Sequence, residues 1–457
     1  MENFNKKKVA IVGWGINGLD AVKYLLKLGA EITILDQKET KELDFSGFEN
    51  SKVKFVLGSN YLKNGLNNFD YIFRSPGVYR FLPEIIKAEK NNVVVTSTLQ
   101  LFFDLCPARI IGVTGTKGKG TTSTLIYEIL KEDCKDVYLA GNIGYPMLEL
   151  LPQLTRKSWV VLELSSFQLI DMKKSPYIAV VLNITEDHLD WHKDKRQYLD
   201  SKRNIVRYQK ISDIAIINSD YEVSRSFEKD TQSSNIYYFS KVKKVKGCYV
   251  ENGTIKLYLD KKAELVGRTD RLLLRGVHNR ENIIAAILAG KKAGTSLRSI
   301  KSAVYTFKGL EHRLELVRTY NGVTFYDDSF STNPQTTEAA INSFEEPITI
   351  ILGGFDKQLN YDEMSKVFSK RSNIVNVVLV GDIAKKMEKS LLKFKFSGNI
   401  INMDKTVMKD VVEKCFKVTP KGGVVLLSPA SSSFDMFKDY KDRGNQFKKA
   451  VLDLTSV

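Results

Sequence analysis

At 457 residues, with 43% hydrophobic, 10% aromatic and 27% charged side chains, the chain has ordinary globular usage and about three times the roughly 150-residue size of one domain. That excludes a single small module and a collagen-like or largely disordered chain. No apolar run approaches the roughly 20 residues of a membrane span and the start, MENFNKKKVAIVG, has no leader pattern, so a cytoplasmic protein without membrane insertion is expected, and the formal charge of +16 favours anionic partners.

The chain opens as a strand at Val9 to Val12, a glycine turn, an amphipathic helix to about Leu28 and a second strand at Glu31 to Leu35, a βαβ beginning. Further strands are expected at Tyr71 to Phe73 and Val93 to Val95, and a first domain over 1–97. A buried-type strand at Ala108 to Val113 then runs into the glycine-rich stretch Gly115 to Gly120 and a helix at Thr121 to Lys131. Short apolar runs at Trp159 to Leu162, Ala179 to Leu182 and Ile214 to Ile217 predict a central parallel sheet covered on both faces. Residues 235–275, with runs broken by Gly and Asn turns, read as a small antiparallel β insertion. A helix at Arg280 to Ala293 closes a middle domain over 98–309. The third, over 310–457, has strands at Leu314 to Val317, Ile348 to Leu352, Val377 to Val380 and Gly423 to Leu427. The fold class is therefore α/β in three domains: a Rossmann-like first, a P-loop-type ATPase with a parallel sheet in the middle, and a Rossmann-like α/β third.

The first motif that carries chemistry is Gly13-Trp14-Gly15-Ile16-Asn17-Gly18 between strand and helix, with Asp36 ending the next strand. Glycines let the backbone approach a diphosphate, the helix start attracts it, and the acid meets a ribose hydroxyl. NAD and another nucleotide diphosphate are both compatible. The second, Gly112 to Thr122, contains Gly115-Thr116-Lys117-Gly118-Lys119-Gly120-Thr121-Thr122. Successive backbone N–H groups there wrap phosphate oxygens and Lys119 neutralises charge. It departs from the generic phosphate loop: its first glycine is off the usual spacing, and Gly120 stands where a hydroxyl residue normally binds the metal, so Thr121 or Thr122 takes that contact or other groups hold the ion. Glu163 and His188 follow two further strands beside this loop and are placed for Mg²⁺, the alternative being a capped helix start. His188 and His192 have the zinc-helix spacing, but no Glu follows His188 directly. Lys202 reads as a solvated helix lysine, and His278-Asn279-Arg280-Glu281-Asn282 as a helix cap. The four cysteines show no CxxC pairing.

Taken in order, the phosphate loop, Glu163-Leu164-Ser165-Ser166-Phe167-Gln168, Asn183-Ile184-Thr185-Glu186-Asp187-His188-Leu189-Asp190, Lys202, His278-Asn279-x-x-Asn282, Glu311-His312-Arg313, Tyr326-Asp327-Asp328-Ser329, and the closing Ser433-Phe434-Asp435 with Asp442-Arg443-Gly444-Asn445-Gln446-Phe447 resemble the Mur ligases of peptidoglycan synthesis. The resemblance spans all three domains. It implies that Gly13, Gly15, Ile16, Asn17, Gly18, Asp36, Gln37, Ser75, Pro76 and Gly77, with Asn142, hold a UDP-sugar and not NAD. ATP would lie on Gly115 to Thr122, with Asn279 and Asn282 beside the adenine and Arg313 and Asp328 reaching phosphate and ribose. Lys119, Asn142, Glu163, His188, Lys202 and Arg313 would be catalytic. Thr121, Glu163, His188 and a carbamylated Lys202 would hold Mg²⁺, two ions in all. Thr332, Lys357, Ser433, Phe434 and Tyr440 would take the amino acid.

The activity so implied is amide ligation through an acyl phosphate, joining D-glutamate to UDP-N-acetylmuramoyl-L-alanine in a monomer that binds no nucleic acid and closes on a hinge near Lys308-Gly309. A sister ligase, such as a folylpolyglutamate synthetase, shares the ATPase motifs but lacks this ending. A dehydrogenase would rest on the first glycine motif alone. A nucleotide-binding module without catalysis would follow if Gly120 and Phe330 disable the site. Phe330 stands where many family members carry a lysine.

Overall fold

The computed structural model describes residues 4–39, 53–185, 191–274 and 276–455. The opening sheet contains β1 (Lys8–Val12), β2 (Glu31–Asp36), β3 (Lys54–Leu57), β4 (Tyr71–Arg74) and β5 (Val94–Thr96), all parallel, in the order β3-β2-β1-β4-β5. The order reverses between β1 and β4, the point at which open α/β sheets leave a crevice at their carboxyl ends. Helix Ile16–Lys27 buries Ala21, Val22 and Leu25 against this sheet. Val22 and Leu25, fully buried, each contribute about 1.5–3 kcal/mol.

The middle sheet has nine strands: β6 (Arg109–Thr114), β7 (Val137–Gly141), β8 (Trp159–Glu163), β9 (Ile178–Val181), β10 (Ile214–Asn218), β11 (Asn235–Ser240), β12 (Gly247–Glu251), β13 (Thr254–Tyr258) and β14 (Ala263–Arg268). Its order is β14-β13-β12-β11-β10-β9-β6-β8-β7. Strands β8, β9 and β10 are buried at every residue, as expected for parallel strands covered on both faces. The 235–275 segment extends this same sheet. Its first two strands pair in parallel, β11 on β10 and β12 on β11, and only β12-β13-β14 is antiparallel.

The last sheet has β15 (Glu315–Tyr320), β16 (Val323–Asp327), β17 (Ile348–Gly353), β18 (Ile374–Val380), β19 (Asn399–Asn402) and β20 (Val424–Leu427), ordered β15-β16-β20-β17-β18-β19. It is parallel except for β15 on β16.

By packing, the chain forms two compact units, one of residues 1–269 and 281–304 and the other of 270–280 and 305–457. The first two sheets share the former, where one apolar core runs from Phe4 and Ile11 through Leu99 and Phe102 to Val160 and Ile217. Their junction is also polar. Arg74, at the end of β4 with no exposed side chain, forms an ion pair with Asp171 and donates to the carbonyls of Phe167 (2.7 Å), Ser75 (3.0 Å), Pro76 (3.2 Å) and Val78 (2.5 Å). Arg80 Nε holds the other Asp171 oxygen at 2.7 Å. Asp20, from the first helix, accepts from the Leu148 N–H at 2.9 Å.

Candidate active site

The crevice at the β1/β4 switch is a cavity of about 480 Å³, within the size range of small-molecule sites. Gly13, Gly15, Ile16, Asn17, Asp36, Gln37, Ser75, Pro76 and Gly77 line it, joined by Trp14, Tyr61 and Tyr79, which sequence reasoning did not single out. Gly18 lies beneath it: a Cβ there would sit 2.7 Å from the Gly13 carbonyl. Asp36 fastens the glycine turn. Its Oδ2 accepts from the Trp14 N–H at 2.6 Å and its Oδ1 from the Lys38 N–H at 2.8 Å, while Ser75 Oγ donates to the Gly13 carbonyl at 2.5 Å. Within the same unit the Trp191 indole N–H donates to the Gly77 carbonyl at 3.2 Å.

In the middle sheet, β6 ends at Thr114 and its chain turns through Gly115 to Gly118 into helix Lys119–Glu132. Gly118 has φ +84°, and a Cβ on it would strike the Asn282 side-chain oxygen. Only a residue without a side chain lets that asparagine approach the loop. Asn279 lies three residues earlier on helix Val277–Lys292 and is buried. Lys119 Nζ donates to the Gly115 and Thr116 carbonyls at 3.0 Å each. Lys202 Nζ donates to the same Gly115 carbonyl at 3.0 Å, over the Tyr198 ring at 4.9 Å. Two ammonium groups thus converge on one loop carbonyl.

The expectation of a solvated Lys202 is corrected: the residue is 2% exposed. Helix Lys195–Arg207 buries Tyr198, Ser201, Lys202 and Ile205 on one face, a spacing readable in the sequence.

The register Val113↔Glu163 and Gly141↔Glu163 sets Glu163 between the phosphate loop and Asn142. Asn142 Nδ2 donates to Glu163 Oε1 at 3.3 Å. The capped helix start is also present: Ser165 and Gln168 form a reciprocal capping box, which satisfies the Ser165 and Gln168 N–H groups just beyond Glu163. Thr122 is fully buried and Thr121 half-buried, so Thr121 is the one of the two threonines turned toward solvent. Carboxylate and hydroxyl oxygens are the donors Mg²⁺ prefers, and Glu163 with Thr121 fits such an ion. His188 lies outside the described residues. His192 is buried, with Nε2 2.9 Å from Ser166 Oγ and its ring stacked on Phe167.

In the other unit, neighbouring strands β16, β20 and β17 end together at their carboxyl edge. The Phe355 N–H donates to the Ser432 carbonyl at 2.9 Å and Ser431 Oγ to the Phe355 carbonyl at 2.5 Å, fastening the loop of Lys357 to that of Ser433 and Phe434. The Ala430 N–H reaches the Ser331 carbonyl at 3.0 Å, bringing in the Thr332 loop. Lys357 and Phe434 are exposed, Thr332 and Tyr440 half-buried, and Ser433 buried. Asp328 faces inward, accepting from the Leu314 N–H at 3.1 Å and Ser428 Oγ at 2.7 Å. Burial pushes its carboxyl up to about 7.

Arg443 is the organiser that sequence reasoning left out of the site. Buried, and lowered to about 10 by that burial, it donates to Ser329 Oγ (2.9 Å), the Ser329 carbonyl (2.9 Å) and the Ser431 carbonyl (3.1 Å). Among the described residues, His312, Glu315 and Asp327 present ligand atoms within 4.8 Å of one another. Lys448 Nζ already lies 3.2 Å from Glu315 and 2.7 Å from Glu311, supplying the positive charge there.

Residues 7–97 match the model of the Mur ligase MurD-like N-terminal domain, 113–290 the Mur ligase middle domain and 312–431 the Mur ligase glutamate ligase domain. The chain is 39% identical to the UDP-N-acetylmuramoylalanine–D-glutamate ligase of Acetivibrio thermocellus, covering 98% of this chain and 97% of the relative, and 37% identical to that of Clostridium kluyveri with the same coverages. Among solved structures, UDP-N-acetylmuramate-alanine ligase MurC of Thermotoga maritima shares its fold with a TM-score of 0.56 at 18% identity, covering 98% of this chain and 99% of that one. MurF of the same organism, solved in complex with ADP, does so at 0.54 and 16%, covering 98% and 96%. The chain belongs to the Mur ligase family and, within it, groups with the UDP-N-acetylmuramoylalanine–D-glutamate ligases.

Proposed function

We propose that this chain uses ATP to join D-glutamate to the alanyl carboxylate of UDP-N-acetylmuramoyl-L-alanine, with domains at 1–97, 98–309 and 310–457 serving the UDP-sugar, ATP and the amino acid. The observation that carries the reading is the convergence of Lys119 and Lys202 on the Gly115 carbonyl, in the same compact unit as the β1/β4 cavity. A carboxylate does not condense with an amine unaided. Its oxygen therefore attacks the γ-phosphorus of ATP, ADP leaves, and the glutamate amine displaces phosphate from the acyl phosphate.

Lys119 and the loop N–H groups hold the triphosphate, and Arg313 is the cation assigned to the charge on the transferring phosphoryl group. Asn142 orients Glu163. Bound Mg²⁺ would supply Lewis-acid charge neutralisation, and Thr121, Glu163, His188 and Lys202 as its carbamate are the residues that would hold it. Lys357 is the cation for a glutamate carboxylate.

The test is phosphate release from purified protein. Release is expected only with ATP, UDP-N-acetylmuramoyl-L-alanine and D-glutamate together, and not with L-glutamate, D-aspartate or meso-diaminopimelate. Activity with another amino acid in place of D-glutamate identifies a sister ligase. Unchanged turnover in Lys119→Ala overturns the assignment of the phosphate loop.

A further inference from the structure

Phe330 is a large apolar residue left 38% exposed in a chain segment otherwise made of buried polar groups, Asp327, Asp328, Ser329 and Ser331. Its ring carries a cation: the guanidinium carbon of Arg313 lies 3.8 Å from the ring centroid. The ring itself is braced. Tyr440 meets it edge-on at 5.1 Å and 89°, and the Phe330 N–H donates to the His312 carbonyl at 3.0 Å, fixing its backbone beside Arg313. His312 is in turn pinned to Asp327 at 2.7 Å and packs edge-on to Tyr440 at 6.0 Å.

We propose that Phe330 is a positioning residue whose ring restrains the Arg313 guanidinium, the cation assigned above to the phosphoryl group being transferred, an inference that rests on that role of Arg313. A guanidinium stacked on an aromatic face keeps its N–H donors in a plane parallel to the ring, the geometry for two-point contact with a phosphate. A lysine at this position would bring a second cation against the first. The phenyl group instead uses its π face to restrict the arginine, so this segment presents one restrained cation where a lysine would add a second.

The experiment combines Phe330→Leu, Phe330→Tyr and Arg313→Ala with a spectrum of arginine-labelled protein that reads the order of the Arg313 Nε–H. Leucine keeps an apolar side chain but removes the ring face, so kcat/KM for ATP is expected to fall about three- to thirty-fold, the range of cation–π contacts from exposed to desolvated. The Arg313 Nε–H should lose order together with it. Tyrosine restores both. In the Arg313→Ala background, Phe330→Leu costs nothing further, because the ring then has no cation to hold.

An additive loss in the double variant overturns the proposal by showing that Phe330 acts through packing or directly on substrate. Unchanged Nε–H order in Phe330→Leu overturns it by showing that the ring does not restrain the arginine. Lost order with unchanged turnover overturns it by a different route, through the role of Arg313 itself, and Arg313→Ala alone with full activity identifies that case.

Discussion

Replacing Arg74 with methionine should uncouple the first two sheets. The buried guanidinium makes an ion pair with Asp171 and bonds four carbonyls, three of them on the turn that follows β4 and one, that of Phe167, across the junction. Breaking a buried pair from one side costs about 3–5 kcal/mol because a buried charge is left behind. Here Asp171 keeps Arg80 at 2.7 Å, which places the ion-pair loss at the lower end, about 3 kcal/mol. Orphaned carbonyls add about 1–3 kcal/mol for each that water does not reach. At about 2 °C per kcal/mol for a large domain, the unfolding midpoint should fall by about 6 °C or more. Since Ser75, Pro76 and Gly77 line the cavity, KM for the UDP-sugar substrate should rise about tenfold or more while ATP affinity changes far less. Arg74→Lys should recover little, because a point charge cannot serve Asp171 and the carbonyls in one plane. A midpoint within about 2 °C of the parent, or equal losses for both nucleotides, would refute the reasoning.

Gly118→Ala forces a side chain into a left-handed position against Asn282. ATP KM should rise about ten- to a hundredfold, from about 1–3 kcal/mol of strain, and an unchanged ATP titration would count against the loop geometry. Gly444→Ala places a Cβ against His312 Nδ1 and, 2.6 Å away, Asp327 Oδ2. Overpacking of about 1–3 kcal/mol should lower stability and, through the loosened His312–Asp327 pair, turnover, both read against the parent by calorimetry and phosphate release. Burial holds the Asp20 carboxyl up to about 6 against its usual 3.8. Its contribution to stability is full below about 3.8 and is lost as pH rises through about 6. Asp20→Asn should therefore be more stable than the parent at pH 7.5, with the gain vanishing near pH 4; a gain independent of pH would contradict this.

Much of the fold was legible because apolar runs mark parallel strands: β1, β6, β8 and β10 fall within one residue of their expected positions at each end. Strand β16 carries no apolar run to mark it, because Val323–Asp327 ends in the polar Tyr326-Asp327 motif within only five residues. The 235–275 segment looked self-contained because turn residues interrupt it, whereas pairing direction is set by the neighbour it meets, β10, far away in sequence.

In the site, glycine motifs and acids at strand ends were visible. Lys202 was recognised only through resemblance, although Tyr198, Ser201 and Ile205 marked its face as inward. Arg74 and Arg443 were hidden for a different reason. A buried arginine is defined by the carbonyls around it, and no local pattern announces where those carbonyls will be.

The placement of the indoles has a spectroscopic consequence. Of three tryptophans, Trp14 forms part of the cavity wall and Trp191 is tied to Gly77 at its margin, whereas Trp159 begins β8, at the end opposite Glu163. Intrinsic emission from the native protein should therefore report the arrival of a uracil-bearing ligand without any label, with Trp159 as a nearly constant background.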